Sequence, residues 1–218
     1  NQTHIDRTNI QNFLNNLEYP LWHLDFETFQ TAIPLHNGSK PFQQIPFQFS
    51  LHIQQEDNSI EHYEFLAQGQ EEPRVKFIEE LKNKLGDEGS IIVYNKSFEM
   101  SVMRKIGESF PHYRDWINEL EHRYVDLLDV FRSFWYYNPI QRGNCSIKKV
   151  LPALVPEMSY SDLEIGNGGD ASLEYFYSIF KYTDDKQIED IRKHLLLYCQ
   201  MDTLAMVKLV EKLNNLIK

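Results

Sequence analysis

The pattern of apolar and polar positions in the first third of the chain predicts three consecutive strands. The runs at 21–27, 45–53 and 60–66 are rich in aromatic and β-branched residues. The last two also alternate, as antiparallel strands covered on one face do. A short amphipathic helix over 7–18 precedes them, and Pro20 marks its break.

The rest of the chain alternates between helical and strand patterns, and then becomes helical. A helix over 72–85 is stopped by Gly86. The other predicted elements are strands at 90–95 and 124–130 and helices at 97–110, 146–154, 171–181 and 186–216. This order predicts an α/β fold whose mixed sheet has an antiparallel three-strand start and is flanked by helices.

The length of 218 residues predicts one domain over 1–218, with 1–19 as an N-terminal helical extension. Two cysteines, Cys145 and Cys199, are too few for a disulfide framework or a Cys-rich zinc site. No run approaches the ~20 apolar residues of a membrane span, and no secretory leader is visible, so we expect a cytoplasmic protein without a membrane partner. The chain does not begin with Met, so we expect it to be an excised part of a longer protein.

The formal net charge of -10 affects the function classes that remain open. An acidic surface does not attract nucleic acid through its overall field, which counts against passive coating of DNA or RNA. A metal-dependent enzyme is compatible with this charge, because bound cations supply local positive charge. The absence of any G-x-x-x-x-G-K sequence sets aside a P-loop phosphate enzyme.

The first candidate motif lies in the stretch LWHLDFETF, residues 21–29. Asp25 and Glu27 are two apart on a predicted strand, so they point the same way near its C-terminal end, where sites in α/β sheets tend to lie. The structural alternative is a strand end whose acids face solvent. His23 shares this face, and we interpret it as a hydrogen-bonded core histidine rather than a ligand.

The second motif is YNKSFEM, residues 94–100, where a buried strand gives way to a helix. Glu99 falls in the first turn of that helix, near the end of the strand. A purely structural interpretation is also open, in which Ser97 caps the helix and Glu99 interacts favourably with the helix dipole.

The third motif is YCQMD, residues 198–202, inside the long terminal helix. Tyr198 and Asp202 are four apart and therefore share one face. An Asp beside so many leucines is costly to bury unless something positive meets it. The structural alternative is a solvent-facing Asp and a half-buried core Tyr.

Together, the three motifs in this order resemble the DEDD exonuclease superfamily, which has an RNase H-like fold. The tyrosine spacing matches its DEDDy branch; in the histidine branch the base would fall at Leu197, and His194 is out of register. More narrowly, the stretches DFETF, PFQQIPFQFSLHI, YNKSFE, SIKKVLPALVP and NGGDAS resemble an uncharacterised bacterial domain family found downstream of RecB-like nuclease segments. A RecB-like segment in the same full-length chain is therefore an expected partner.

The resemblance implies a metal-dependent 3'-5' exonuclease that acts on DNA or RNA ends. Carboxylate ligands favour two Mg²⁺ or Mn²⁺ ions. Asp25 would bridge both ions, Glu27 and Asp202 would complete the nucleophile-side ion, and Glu99 would serve the leaving-group side. Tyr198 would orient the attacking water. The superfamily usually has Asp where this chain has Glu99, which puts the two-ion arrangement in question.

The resemblance also implies substrate contacts for Phe29, against the terminal base, and for Asn95. Lys148, with the basic residues Lys149 and Arg142, could hold backbone phosphates, or this cluster could be a solvated helix face. The segment 164–172 is predicted to be a flexible turn with Asp170 capping the next helix; a lid is its functional alternative. The alternative for the whole chain is a non-catalytic RNase H-like module that positions nucleic acid or a partner nuclease.

Overall fold

A mixed five-stranded sheet forms the centre of the computed structural model, which describes residues 2–218. In chain order the strands are β1 (His4–Ile5), β2 (Leu21–Phe29), β3 (Ile45–Gln54), β4 (Ile60–Leu66), β5 (Ile91–Val93), β6 (Tyr124–Asp126) and β7 (Tyr136–Tyr137). The central sheet has the order β4-β3-β2-β5-β6, and β1 and β7 form a separate antiparallel pair. The pairs β2/β3 and β3/β4 are antiparallel, whereas β2/β5 and β5/β6 are parallel.

Helices cover both faces of this sheet. In chain order they are α1 (Arg7–Asn15), α2 (Pro73–Lys84), α3 (Lys96–Ser109), α4 (Arg114–Leu120), α5 (Leu128–Arg132), α6 (Ile147–Leu154), α7 (Gly168–Phe180) and α8 (Asp185–Ile217). Short 3-10 turns lie at Pro111–Tyr113 and Pro139–Gln141. The α/β class, the mixed sheet and its antiparallel three-strand start are confirmed, with helices on the sheet as predicted.

The alternation of β2 divides its side chains between two cores. Leu24 and Phe26 pack toward α2 and α3 in one buried cluster. On the opposite face, Leu21 joins the cluster formed with α1, α6 and α8. Because side chains two apart on a strand share a face, Asp25 and Glu27 lie on the α8 side.

The prediction that β3 is covered on only one face is wrong. All ten residues of Ile45–Gln54 are buried, because Phe49 and Leu51 pack toward α2 while Ser50 and His52 contact α8. Alternation of polar and apolar residues here reflects polar contacts with a helix rather than solvent. The edge strand β4, by contrast, is largely exposed.

The predicted strand at 124–130 ends early, and a short helix replaces its second half. Asp126 Oδ1 accepts hydrogen bonds from the backbone amides of Leu128 (3.1 Å) and Asn95 (3.0 Å). The side chain thus substitutes for the strand ladder at this point, and α5 begins two residues later. The turn before α4 and the short pair β1/β7 were not predicted.

Two predicted helix caps are also corrected. Helix α3 begins at Lys96 with Asn95 as its N-cap residue, so Ser97 lies inside the helix. Helix α7 begins at Gly168, within the segment predicted as a flexible turn. Its N-cap is Asn167, whose Oδ1 accepts from the backbone amide of Asp170 at 3.0 Å, so Asp170 is a first-turn residue and not the cap.

The N-terminal segment packs against the body of the chain. Ile10 and Leu14 of α1 are buried in the same cluster as Leu209 and Leu213 of α8. In the part of the chain that the structure describes, no helix has the length and apolar composition needed to cross a bilayer.

Candidate active site

A cavity of about 460 Å³ opens at the carboxyl ends of β2 and β5. Helices α3, α6, α7 and α8, together with Gln30 and Gln44 of the loop between β2 and β3, supply the rest of its wall. Its lining includes residues of all three candidate motifs, namely Asp25, Glu27, Glu99, Tyr198 and Asp202. The three motifs, which are far apart along the chain, therefore meet at one place.

Three carboxylates converge inside this cavity. Each of Asp25, Glu27 and Asp202 offers one oxygen, and these oxygens all lie within 4.8 Å of one another. Strand β2 supplies the first two and α8 supplies the third. Asp25 is partly buried, whereas Glu27 and Asp202 are buried. Oxygens this close can surround a single divalent cation.

Buried polar contacts hold α8 over the sheet, and so fix where Asp202 lies. Gln48 Nε2 donates to the backbone oxygen of Leu195 at 2.7 Å. Thr203 Oγ1 lies 2.7 Å from Ser50 Oγ and 2.8 Å from His52 Nδ1. Because unpaired polar groups are costly in a core, these contacts oppose any slide or rotation of α8 on β3.

Two aromatic hydroxyls and one lysine border the acids. Tyr160 donates to Asp202 Oδ1 at 2.6 Å. Lys148 Nζ donates to the hydroxyl of Tyr198 at 2.8 Å and to the backbone oxygen of Gly166 at 2.6 Å. Lys148 also lies over the rings of both tyrosines, with its Nζ 4.7 Å from the Tyr198 centroid and 5.4 Å from the Tyr160 centroid. The ammonium of Lys148 therefore stands beside the acidic cluster.

Glu99 lies at the edge of the three-acid group rather than inside it. Its side chain is only 3% exposed, and its Oε2 has no hydrogen-bond partner among residues 2–218. Desolvation first, and then the charge of Glu27, raise the pKa of Glu99 well above its usual range. An unpaired buried carboxylate oxygen is rare, and a cation on its open side would satisfy it.

The other acids are perturbed in the same direction. Desolvation, followed by the charges of Asp202, Glu99 and Glu27, raises the pKa of Asp25 well above its usual range. Desolvation and then Asp202 raise the pKa of Glu27 to about 8, although Lys148 opposes this shift. Desolvation raises the pKa of Asp202 to about 6, against the opposing effects of Tyr160 and Lys148. Crowded acids that resist ionisation are expected where a cation normally balances them.

The hydroxyl of Tyr198 is neutral in this environment. Desolvation first, and then the charge of Asp202, raise the pKa of Tyr198 far above its usual range. A neutral hydroxyl can donate and accept hydrogen bonds at neutral pH, but it carries no charge with which to act as a free base.

The N-terminus of α7 forms the side of the cavity next to Glu27. Gly168 lies so close that a Cβ at this position would be 3.3 Å from Glu27 Oε2. The β2/β3 register also shifts between Glu27 and Thr28, an irregularity typical of strands beside functional sites. The segment predicted as a turn thus contributes a helix start to the wall.

The predicted substrate contacts have different outcomes. Asn95 and Lys148 line the cavity. Phe29 does not, and its assignment to a terminal base is corrected: it is 3% exposed and packs against Phe47 and Tyr175 in a core cluster. Phe29 continues the β2 face of Asp25 and Glu27, but the start of α7 covers that face beyond Glu27.

The remaining basic and histidine predictions can be located as well. Lys149 and Arg142 are exposed and lie outside the cavity lining, so Lys148 alone of the basic cluster reaches the acids. His23 is fully buried with its Nε2 3.1 Å from Gln54 Oε1, which confirms the interpretation as a core histidine.

Four residues near the acids were missed by sequence reasoning. Phe98 lines the cavity directly before Glu99, and Asp126 ends the neighbouring parallel strand. The position of each residue in the sequence could therefore have indicated that it lies near the acids. Cys199 Sγ lies 3.8 Å from Asp25 Oδ2, next to Tyr198 in the third motif. Tyr160 lies in a loop without a recognisable pattern, and only the tertiary structure reveals its contact with Asp202.

The five-stranded mixed sheet of order β4-β3-β2-β5-β6, flanked by helices, is compatible with an RNase H-like α/β fold. The structure is similar to that of the family B DNA polymerase from the archaeon Pyrobaculum calidifontis, with a TM-score of 0.54 and 15% sequence identity. The similarity covers 86% of this chain and 24% of that polymerase. At this level of identity the likeness concerns the fold alone.

The chain belongs to the family described as "Domain of unknown function (DUF2779)", which it matches over residues 22–146. It is 28% identical to Uncharacterized protein UU173 of Ureaplasma parvum, over 89% of this chain and 32% of that protein. It is 25% identical to Uncharacterized protein MG366 of Mycoplasma genitalium, over 95% of this chain and 34% of that protein. The chain thus spans about a third of the length of these relatives.

Proposed function

We propose that this protein is a metal-dependent 3'-5' exonuclease that releases nucleoside 5'-monophosphates from DNA or RNA ends. The observation that carries the proposal is the convergence of Asp25, Glu27 and Asp202 within 4.8 Å, with Tyr198 on the same face of α8 as Asp202. The likeness to a DNA polymerase supports a role with nucleic acid. The 3'-5' polarity is what the resemblance to the DEDD exonuclease superfamily implies.

The donor set fits Mg²⁺ or Mn²⁺, because these ions prefer oxygen ligands and every carboxylate in the cluster supplies them. Asp25, Glu27 and Asp202 would hold an ion, and Glu99, with its unpaired Oε2, would hold or orient a second. Bound divalent ions supply charge neutralisation at the phosphate and a nucleophile at neutral pH.

The residues of the chain would perform the remaining tasks. The neutral hydroxyl of Tyr198, fixed by its hydrogen bond from Lys148, would orient the attacking water by hydrogen bonding. Lys148 would offer its positive charge to the scissile phosphate. Asn95 and Phe98 lie where they could contact the terminal nucleotide. A RecB-like nuclease segment in the same full-length chain would be a partner in this work.

One observation favours a second candidate, a non-catalytic RNase H-like module that positions nucleic acid or a partner nuclease. Glu99 replaces the usual Asp and lies outside the group of three converging oxygens. A site that holds its second ion weakly would bind an end without cutting it efficiently. The ordered pair of Tyr198 and Asp202 is the feature that argues for hydrolysis.

A degradation assay separates the two candidates. End-labelled single- and double-stranded DNA and RNA are incubated with the protein and Mg²⁺ or Mn²⁺. Stepwise shortening from the 3' end that disappears in Asp25→Ala and Asp202→Ala supports the exonuclease. Binding of ends without shortening would support the module, and activity retained in Asp202→Ala would refute the assigned centre.

A matched control is available elsewhere on α8. Asp190 is an exposed acid on the same helix, outside the cavity. Asp190→Ala should shorten the substrates at the rate of the unaltered protein. Equal loss in Asp190→Ala and Asp202→Ala would mean that the acid is needed for the helix and not for chemistry.

A further inference from the structure

A second cavity of about 320 Å³ lies beside the acidic one. One wall is the C-terminal half of α3, at Lys105, Glu108 and Ser109. The other is the stretch 38–43 of the loop between β2 and β3. The exonuclease proposal assigns no role to this cavity.

The same two parts of the chain, helix α3 and the loop between β2 and β3, line both cavities. Helix α3 lines the acidic cavity with Phe98 and Glu99 and the second cavity with Lys105, which lies two turns further on the same helix face as Phe98. Seven residues of helix correspond to about 10 Å. On the other wall, Gln44 lines the acidic cavity and the adjacent Gln43 lines the second one. The two cavities thus follow one another along the same helix and the same loop, and together they are called the groove.

The chemistry of this groove fits a polyanion with flat, apolar side groups. Phe42 is 65% exposed in the second cavity, and Phe98 is 37% exposed in the first. Lys40 and Lys105 line the second cavity, and neither forms an ion pair with any of the described residues. Glu108 is the one acid in this part of the lining.

Phe42 is held in an unusual backbone conformation. Its φ is 57°, in the left-handed region, and its backbone amide donates to the oxygen of Thr31 at 2.9 Å. A bulky residue seldom adopts this conformation. In this conformation the ring of Phe42 is exposed to solvent, in the same cavity as Lys40 and Lys105, which form no ion pair within residues 2–218.

We propose that this groove, between the loop 30–44 and the exposed face of α3, binds the single strand that leads into the acidic centre. Resting on the proposed exonuclease function, the inference specifies its substrate as a single-stranded polynucleotide several nucleotides long. An unpaired base stacks on Phe42, while Lys40 and Lys105 contact backbone phosphates upstream of the terminal nucleotide. A duplex does not bind in this way, because its bases are already stacked and paired.

Fluorescence anisotropy with labelled oligonucleotides tests the groove. Binding is measured in Ca²⁺, with the oligonucleotides checked to be intact, for single strands of 3 and 12 deoxyuridines, for 12 uridines and for a blunt 12-base-pair duplex. We expect the 12-mers to bind roughly ten-fold or more tightly than the 3-mer, because only they reach Phe42 and the lysines. A preference for one sugar would identify the natural strand as DNA or RNA.

The variants are Phe42→Ala and the double change Lys40→Gln with Lys105→Gln. Each should weaken binding of the single-stranded 12-mer by roughly ten-fold, and the lysine variant should also show a weaker dependence on salt. Phe134→Ala is a close control, because Phe134 is likewise exposed (55%) and has the same φ of 57°, but lies outside both cavities. Lys186→Gln, at an exposed position of α8, controls for lost charge.

The outcomes separate this inference from the function on which it rests. Equal affinity for the 3-mer and 12-mer, for the single strand and duplex, or for Phe42→Ala and Phe134→Ala would overturn the groove, even if the protein degrades nucleic acid. Length-dependent binding that requires Phe42, in a protein that shortens no oligonucleotide with Mn²⁺, would keep the groove and overturn the exonuclease.

Discussion

The hydroxyl of Tyr160 donates a 2.6 Å hydrogen bond to Asp202 Oδ1, and this contact joins a loop to the acid supplied by the terminal helix. The contact opposes the desolvation that raises the pKa of Asp202. Asp202 also supplies one of the three converging carboxylate oxygens. Tyr160 therefore positions a carboxylate that would hold a cation.

Changing Tyr160 to Phe should weaken Mn²⁺ binding by about 10- to 100-fold, as loss of a residue that orients a metal ligand typically does. Isothermal titration calorimetry of the metal-free variant measures this directly. Tyr136→Phe is the matched control, since its hydroxyl bonds the backbone oxygen of Ala153, away from the cavity. An unchanged affinity in Tyr160→Phe would remove Tyr160 from the site.

Changing Tyr198 to Phe should slow turnover but, unlike Tyr160→Phe, leave Mn²⁺ affinity nearly unchanged. We expect turnover to fall roughly 10²-fold, because the hydroxyl that orients water is lost. Mn²⁺ affinity should stay within a few-fold, because the neutral hydroxyl is not a ligand. Single-turnover cleavage and calorimetry on one preparation give both values. A loss of affinity as large as the loss of rate would contradict the role assigned to Tyr198.

Changing Gly168 to Ala should disturb Glu27 without altering any acid. The new Cβ would stand 3.3 Å from Glu27 Oε2, closer than most such contacts, so the carboxylate must shift by a few tenths of an ångström. We expect Mn²⁺ affinity to fall several-fold, less than the roughly 10- to 100-fold expected when a residue that orients a metal ligand is lost. Gly166→Ala is the control, because a Cβ there meets nothing within 4 Å. The same affinity in both variants would mean that Glu27 tolerates the displacement.

Stability and cation binding should depend on pH in opposite ways. The pKa of Glu27 is raised to about 8 and that of Asp202 to about 6 in the folded protein, so the folded state binds more protons than the unfolded state between about pH 4 and 8. The free energy of unfolding of the metal-free protein should therefore fall as pH rises through this window. Thermal denaturation in EDTA at pH 5, 6.5 and 8 measures the trend.

Mn²⁺ should reverse that trend, because binding requires loss of the same protons. Its affinity, and the stabilisation that it confers, should rise from pH 5 to pH 8. Asp25→Asn with Asp202→Asn should make both curves shallower, while desolvation still raises the pKa of Glu27 and keeps part of the slope in the metal-free protein. A metal-free protein whose stability rises over this range would contradict the proposed crowding of acids.

The main elements were predictable because local pattern and packing agreed. The antiparallel start, the β5 to α3 turn and the long α8 all carried clear periodicity, and Tyr198 and Asp202 shared a face by helix geometry alone. The burial of β3 on both sides was not predictable in the same way. Ser50 and His52 read as solvent-facing residues, and only the position of Thr203 on α8 makes them core residues.

Similar causes explain which residues of the site could be predicted from the sequence and which could not. Asp25, Glu27, Glu99 and Asp202 were identifiable because each lay at an expected place on its element. Phe29 was misassigned because the sequence does not reveal that α7 covers the end of β2. Tyr160 was missed since its contact joins segments 42 residues apart that have no shared pattern.

The polar contacts of Gln48, Ser50 and His52 with α8 determine when, during folding, the acidic centre can form. Its three converging carboxylates are contributed by β2 and α8, so a chain that lacks α8 cannot assemble them. Binding of a divalent ion at this centre would then report that α8 has docked on the sheet.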